Sequence, residues 1–335
     1  MRIFCTRAFF HALVLTALFC FGFCTLANAA PRVKPPLEAV RRDDVSSVIG
    51  HLVTADAAKG QFEFQVTRVI AGEAALGKAT IAASADILSR LAPDTDYTLV
   101  VLDRMVDPKK PGRIIPLEVW RLFDVEGASP PIFLTSEKST ALFDPAHLDF
   151  ERSANYLAAV VNDLNSDDVQ LVDLSTAEII YSEPRLAALS PADTAKLIAL
   201  IGRADLRGIT RARVLSAASS GNISVDTSAL DQLAKQVLQS APTGQLPWID
   251  SQDELVFAAL NHFTRQVQVS SVVKVADLSR WLQSPNPALV EQAAGLAIRI
   301  DPVTAAGAIR VALNYALLPK DARSTLLVLL HRSKR

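Results

Sequence analysis

Few residues of this chain have the types and spacing that chemistry requires. Beyond the first thirty residues there are four histidines (His51, His147, His262 and His331), and none lies three or four positions from another. All three cysteines fall within the first 24 residues. Zinc sites need closely spaced histidines or cysteines, and calcium loops need alternating acids around a glycine. Neither pattern occurs, so the sequence predicts no metal site and no cofactor.

Catalysis by dispersed residues is the alternative. A serine, a histidine and an acid can meet in space from distant parts of a chain, but no G-x-S-x-G motif marks a nucleophile here. His262 lies next to Phe263 in a helical pattern, so we expect it to be a packing residue rather than a ligand or a base. The sequence predicts no catalytic residue and favours a protein that is not an enzyme.

The segment 72–78 has the spacing of a phosphate-binding loop, since it reads G-x-x-x-x-G-K after a predicted strand. Ala79 stands where a Ser or Thr hydroxyl would hold Mg²⁺. Glu73 and Leu76 place an acid and a bulky side chain where backbone amides should face phosphate. We therefore expect a connection between strands that uses two glycines in its turns.

Trp248 is the aromatic residue with a candidate role in partner binding. It lies in a Pro-containing connection, before a predicted helix that begins with a capping box of Ser251 and Glu254. Trp248 either packs on that helix as a hydrophobic staple or is exposed as an anchor for a protein partner. Trp120 and Trp281 fall within apolar periodicity and are predicted to be core residues.

Residues 1–29 have the three parts of a secretory signal peptide. Arg2 and Arg7 make the start positive, residues 8–24 are almost wholly apolar, and residues 27–29 form an A-x-A cleavage site. A retained anchor is the alternative, but the apolar run is short for the ~20 residues that span a bilayer. The sequence predicts a cleaved signal, no membrane span after cleavage, and a periplasmic or secreted protein.

Composition argues against nucleic acid as a partner. Half of the 335 residues are hydrophobic, and the formal net charge of −1 becomes −3 without Arg2 and Arg7. The basic residues are scattered among acids, whereas nucleic-acid binding needs a basic stripe. With no cysteine after the signal, the fold depends on its hydrophobic core rather than on disulfides.

The first half of the chain has the period of β-strands. After a Pro-rich linker over 30–42, the region 43–140 contains short apolar runs separated by Pro- and Gly-containing turns, and residues 61–69 alternate strictly. The region 144–335 has a helical period instead, with caps placed before prolines. The sequence predicts an α+β protein: a small antiparallel β-barrel or sandwich followed by an all-α, helical-repeat-like domain.

Two resemblances refine this prediction. Residues 277–297 combine a helical pattern, a Ser/Pro/Asn turn and a second helical pattern with alanines inside, and over 185–332 the chain resembles HEAT-type helical repeats. The strand patterns at 48–53, 62–72 and 97–102 are similar to OB-like barrels of exported bacterial proteins. Tissue inhibitors of metalloproteinases share that barrel and chelate zinc through an N-terminal cysteine. The chain has no cysteine after its signal, so this chemistry is not implied.

These features favour a non-enzymatic protein-binding or scaffold module of the bacterial envelope, with an envelope protein or peptide as its partner. Stacked helical pairs present extended surfaces that suit such a role. Two alternatives stay open: a periplasmic hydrolase with a dispersed active site, and a protease inhibitor that does not chelate metal and acts through the loop 103–113.

Overall fold

A computed structural model describes residues 35–110, 112–124, 131–144, 154–242 and 252–332. The predicted signal peptide, Trp248 and the predicted cap Ser251 lie outside the described residues, and what was expected of them stays a prediction. The described residues from Pro35 onward form one compact unit.

Six strands build the first part of the described chain, and five of them close into a barrel. They are β1 (Val45–Asp56), β2 (Gln61–Ala71), β3 (Gly77–Ala82), β4 (Asp96–Val106), β5 (Ile114–Leu122) and β6 (Ile132–Leu134). The hydrogen-bonded order is β1-β2-β3-β5-β4, and β4 pairs back onto β1. β3 and β5 pair in parallel, whereas the other strand pairs are antiparallel. The prediction of a small β-barrel is confirmed, and the closed pairing excludes the sandwich.

The barrel interior is apolar because its strands alternate between inward and outward side chains. On β2, Phe62, Phe64 and Val66 are buried, while the residues between them are exposed or half-buried. The rings of Phe62 and Phe64 meet edge-on with their centroids 6.2 Å apart. Ile81 from β3 and Leu99 from β4 complete this cluster. Each such side chain contributes about 1.5–3 kcal/mol when it is fully buried.

A short helix, α1 (Pro36–Ala39), precedes the barrel within the segment predicted as a linker. Leu37 and Val40 of this segment are buried in the helical core. The backbone N–H of Leu37 also donates to Glu178 Oε1 at 2.5 Å. From residue 35 onward the segment therefore packs as part of the fold.

The remaining described elements are helical, and those after residue 144 lie in the region for which helices were predicted. They are α2 (Ala85–Leu88, between β3 and β4), α3 (Glu137–Phe143), α4 (Ala154–Asp163), α5 (Val169–Ile180), α6 (Glu183–Ala188), α7 (Pro191–Ala199), α8 (Gly208–Ser219), α9 (Thr227–Ser240), α10 (Asp253–Arg265), α11 (Val275–Leu278), α12 (Pro287–Ile300), α13 (Pro302–Leu313) and α14 (Lys320–Arg332). None of these helices is both long enough and apolar enough to cross a bilayer.

Polar caps fix where several helices begin. The side chains of Ser190, Asp226, Asn286 and Asp301 accept hydrogen bonds from backbone N–H groups in the first turns of α7, α9, α12 and α13. Three of these caps stand before a proline at the first helical position, which is the pattern that the sequence contains. Each cap contributes about 1 kcal/mol to stability.

One hydrophobic core runs from the outer side of the barrel through the helices. Val45 of β1, Val100 of β4 and Phe133 of β6 share this core with helical residues as far as Leu326 on α14. Trp281 is 1% exposed within it, and Trp120 is buried in the barrel, as predicted for both. The described barrel and helices are therefore held together by apolar packing.

Candidate functional site

The segment 72–78 connects β2 to β3 and turns at its two glycines. Gly72 has φ +88° and Gly77 has φ +106°. A Cβ on Gly72 would lie 2.3 Å from Ser46 Oγ, so a larger residue does not fit there. Glu73 extends to Arg104, with 2.5 Å between Oε2 and Nη1. A carboxylate at this point would repel phosphate, and the segment serves as the predicted turn.

His51 lies at the barrel surface beside two acids. Its Nδ1 lies 3.0 Å from Asp96 Oδ1, and its Nε2 lies 3.5 Å from Asp94 Oδ1. The hydrogen bond with Asp96 raises the pKa of His51 above its ordinary value. All three side chains are well exposed, so this is a solvated ion-pair cluster on the surface.

His262 on α10 lies between an acid and a serine from neighbouring helices. Its Nε2 lies 2.7 Å from Oδ1 of Asp231 on α9. Its Nδ1 lies 3.0 Å from Oγ of Ser219, the last residue of α8. His262 and Asp231 are each only 6% exposed. The structure thus places a serine, a histidine and an acid in mutual hydrogen-bond reach, across three helices.

A pocket of about 420 Å³ borders this cluster, and Ser219, His262 and Gln266 line it. Gln266 Nε2 donates to Asp231 Oδ1 at 2.8 Å. Burial raises the pKa of Asp231, but hydrogen bonds from Ser270, His262 and Gln266 outweigh this effect and hold the pKa below its ordinary value. Asp231 is therefore a carboxylate at neutral pH.

The cluster has the members of an acyl-transfer triad, but two features oppose that chemistry. The Ser219 hydroxyl lies 2.7 Å from the carbonyl oxygen of Leu215, one turn back on α8. Its single proton goes either to that carbonyl or to His262, and general-base catalysis needs the second arrangement. Ser219 also ends its helix, where the partial negative charge of the carbonyls disfavours a developing oxyanion. What the geometry does provide is a polar clamp between α8, α9 and α10.

The predicted packing role of His262 agrees with its burial and with its ring contact to Phe263, at 5.0 Å between centroids. Asp231 and Ser219 were not singled out by the sequence. Asp231 follows the buried Leu230 and shares the core-facing side of α9 with Ala234. An acid on an apolar helix face is the signal that could have indicated a buried partner, whereas nothing in the pattern distinguishes Ser219.

Two further buried acids lie on α5. Asp173 accepts a hydrogen bond from Thr210 Oγ1 and lies 3.2 Å from Arg207 Nη1, both near the start of α8. Burial raises the pKa of Asp173 to about 7, against the opposing effect of Arg207. Glu178 accepts from Leu37 N–H, from the Tyr156 hydroxyl and from Arg185. Both acids are fully buried, and their hydrogen bonds tie the first helices together.

The last two helices leave apolar side chains on the outside. Thirteen large apolar side chains are exposed among the described residues, and six of them lie between positions 303 and 328. Val303 is 83% exposed on α13, and Leu317 is 77% exposed in the turn that follows. We call Val303, Val311, Leu317, Leu327 and Val328 the C-terminal apolar surface. The opposite faces of these helices are buried through Ala305, Ile309, Ala312 and Leu326.

Comparison of the chain with protein families, with curated proteins and with solved structures gave no significant match. Within the described residues, no group of three or more His, Cys, Asp or Glu side chains is arranged to hold a metal ion.

Proposed function

We propose that this protein is a non-enzymatic binding or scaffold module of the bacterial envelope, which docks another protein on its C-terminal apolar surface. The observation that carries the proposal is the concentration of exposed apolar side chains on α13, α14 and the turn between them. A concentration of exposed apolar side chains is a feature of interaction surfaces.

Two features of the fold support a module of this kind. The capped, short-looped helices and their small inner residues, such as Ala293, Ala294 and Ala297 on α12, support the resemblance to HEAT-type repeats. The strand order β1-β2-β3-β5-β4 with closure onto β1 supports the resemblance to an OB-like barrel. The proposed periplasmic or secreted location depends on the signal-like segment 1–29.

The experiment is crosslinking capture from a periplasmic extract, with the native chain and two variants. The first variant carries Val303→Asp and Leu327→Asp on the C-terminal apolar surface. The second is a control, Val267→Asp, because Val267 is fully exposed on the connection after α10 and is not one of the residues that define that surface. We expect one defined envelope protein with the native chain and with the control, and its loss with the double variant. Equal capture by all three chains would refute the proposal.

A hydrolase acting through Ser219 is the second candidate, because Ser219, His262 and Asp231 lie in mutual hydrogen-bond reach beside a pocket. The test is labelling with a fluorophosphonate, which modifies activated serines, followed by mass analysis of the peptide that carries Ser219. Labelling of Ser219 that disappears in His262→Gln would establish the hydrolase and overturn the binding module. Under our proposal Ser219 stays unlabelled, because its hydroxyl is held by Leu215 and faces the C-terminal end of a helix.

A further inference from the structure

A groove on the barrel has a buried arginine at its base. It has a volume of about 650 Å³ and lies between the segment that enters β1, the end of β2 and the strands β4 and β5. Val40, Val45 and Ile114 give it apolar walls, and Arg104 and Glu73 give it a charged side. The groove lies on the barrel and is independent of the proposed role of the C-terminal apolar surface.

A buried polar network holds the Arg104 side chain in place. Its side chain is 10% exposed, and its Nε donates to Asp103 Oδ2 at 3.2 Å. Asp103 is buried in turn and accepts a hydrogen bond of 2.8 Å from Ser46 Oγ. Arg104 Nη2 is also buried and lies 3.2 Å from the same Asp103 oxygen, in an ion pair without hydrogen-bond geometry. These contacts leave Nη1 as the nitrogen that meets a partner at the groove.

That partner is Glu73, whose own side chain is 84% exposed. Its carboxylate lies 2.5 Å from Arg104 Nη1, while its backbone is held by Gly72 and by a 3.3 Å hydrogen bond from Glu73 N–H to Ser46 Oγ. The Glu73 carboxylate is solvated, so holding it on Arg104 costs side-chain freedom and the pair is partly screened by water. Arg104 keeps Asp103 as a counter-charge when Glu73 moves away. Glu73 can therefore leave Arg104 at small cost, and the arginine is then open to another carboxylate.

The charges around Arg104 indicate the charge of the ligand that could replace Glu73. Arg41 and Arg42 also line the groove, and Arg42 pairs with Asp44. Asp43 adds an exposed acid to the same wall. A single carboxylate matches the one exchangeable position on Arg104. The apolar walls favour an aliphatic chain attached to that carboxylate.

We propose that this groove binds a carboxylate borne on a short apolar chain, which takes the place of Glu73 on Arg104 Nη1. Glu73 then acts as a built-in competitor of the ligand. Free organic acids and the C-terminal carboxylate of a peptide share this chemistry. Removing the competitor strengthens binding of either, and removing the arginine abolishes it.

The test is calorimetric titration of the protein with hexanoate and with the neutral hexanamide. We expect Glu73→Gln to tighten hexanoate binding about two- to fivefold, the range for removal of a competing ion pair with a solvated carboxylate, and to leave hexanamide binding unchanged. Glu118→Gln is the matched control, because Glu118 is an exposed acid on β5 outside the groove lining. We expect the Arg104→Gln variant not to bind hexanoate. An acetylated Ala-Leu dipeptide, compared with its C-terminal amide, shows whether peptide carboxylates are bound as well as free acids.

The Glu73→Gln variant decides the outcome even where Arg104→Gln fails to fold. Three results would overturn the proposal: no hexanoate binding to Glu73→Gln, the same gain in Glu118→Gln, or equal binding of hexanoate and hexanamide. A gain confined to carboxylate probes and to Glu73→Gln supports it.

Discussion

Asp231 on α9 and His262 on α10 are joined by a hydrogen bond of 2.7 Å between Oδ1 and Nε2. The same Asp231 oxygen accepts from Gln266 Nε2, so one carboxylate satisfies two donors near the end of α10. Under the proposed non-enzymatic function its role is to align helices, with the Ser219 hydroxyl bonded to the carbonyl of Leu215.

We expect Asp231→Ala to lower the free energy of unfolding by about 1–3 kcal/mol at pH 7, because the buried His262 and the half-buried Gln266 lose their acceptor. Urea denaturation followed by circular dichroism measures the change. Asp167→Ala, at an exposed position between α4 and α5, serves as the control and changes the value by less than about 0.5 kcal/mol.

The contribution of Asp231 to the free energy of unfolding should decrease at low pH. The folded state holds the pKa of Asp231 below its ordinary value, so the stabilisation is fully present above that ordinary value and is lost as the pH falls through the folded pKa. The native chain and Asp231→Ala should therefore differ less in free energy of unfolding at about pH 3, below the ordinary pKa of about 3.9, than at pH 7. A difference that is the same at both pH values would contradict this account.

Asp173 predicts the opposite trend. Burial raises its pKa to about 7 in the folded state, so between its ordinary value and pH 7 the folded chain keeps a proton that the unfolded chain releases. Stability then falls as the pH rises from about 4 to 7, by at most about 1.4 kcal/mol per pH unit. Asp173→Asn removes this slope, which urea denaturation at pH 5, 6 and 7 would reveal. An unchanged slope in the variant would show that Asp173 does not cause it.

Gly72 and Gly77 form a matched pair for separating steric overlap from backbone conformation. Both have positive φ. A Cβ added to Gly72 would lie 2.3 Å from Ser46 Oγ, whereas a Cβ added to Gly77 would have no neighbour within 4 Å. Gly77→Ala should lower the free energy of unfolding by about 1–2 kcal/mol, which is the cost of placing alanine in the left-handed conformation. Gly72→Ala should cost more than Gly77→Ala, because Ser46 must also move. Equal costs in thermal denaturation would remove the steric argument.

Much of the fold follows from local signals. The alternation at 61–69 predicts β2 because β-strands have a period of two, and the Asn286-Pro287 and Asp301-Pro302 pairs mark the starts of α12 and α13. The helices α5, α6 and α8 and the short helices α1, α2 and α3 were not predicted. α5 is buried over nine of its twelve residues and so lacks a polar face, and α8 begins after Arg207 without a side-chain cap.

The candidate sites are less accessible to sequence reasoning because their members are distant in the chain. Ser219 and His262 are 43 residues apart, and they meet because α8 packs on α10. Arg104 and Glu73 are 31 residues apart and meet across the barrel end. Local periodicity does not predict such pairs, whereas the spacing of apolar residues within a helix or strand does predict its buried side.

The central claim is that the C-terminal apolar surface binds an envelope protein. The direct measurement is the affinity of the captured partner for three chains: the native protein, the Val303→Asp, Leu327→Asp double variant, and the Val267→Asp control. We predict that the double variant binds at least about tenfold more weakly, as loss of buried apolar anchors does, and that the control binds like the native protein. Equal affinity of all three chains, or the absence of any specific partner, would contradict the claim.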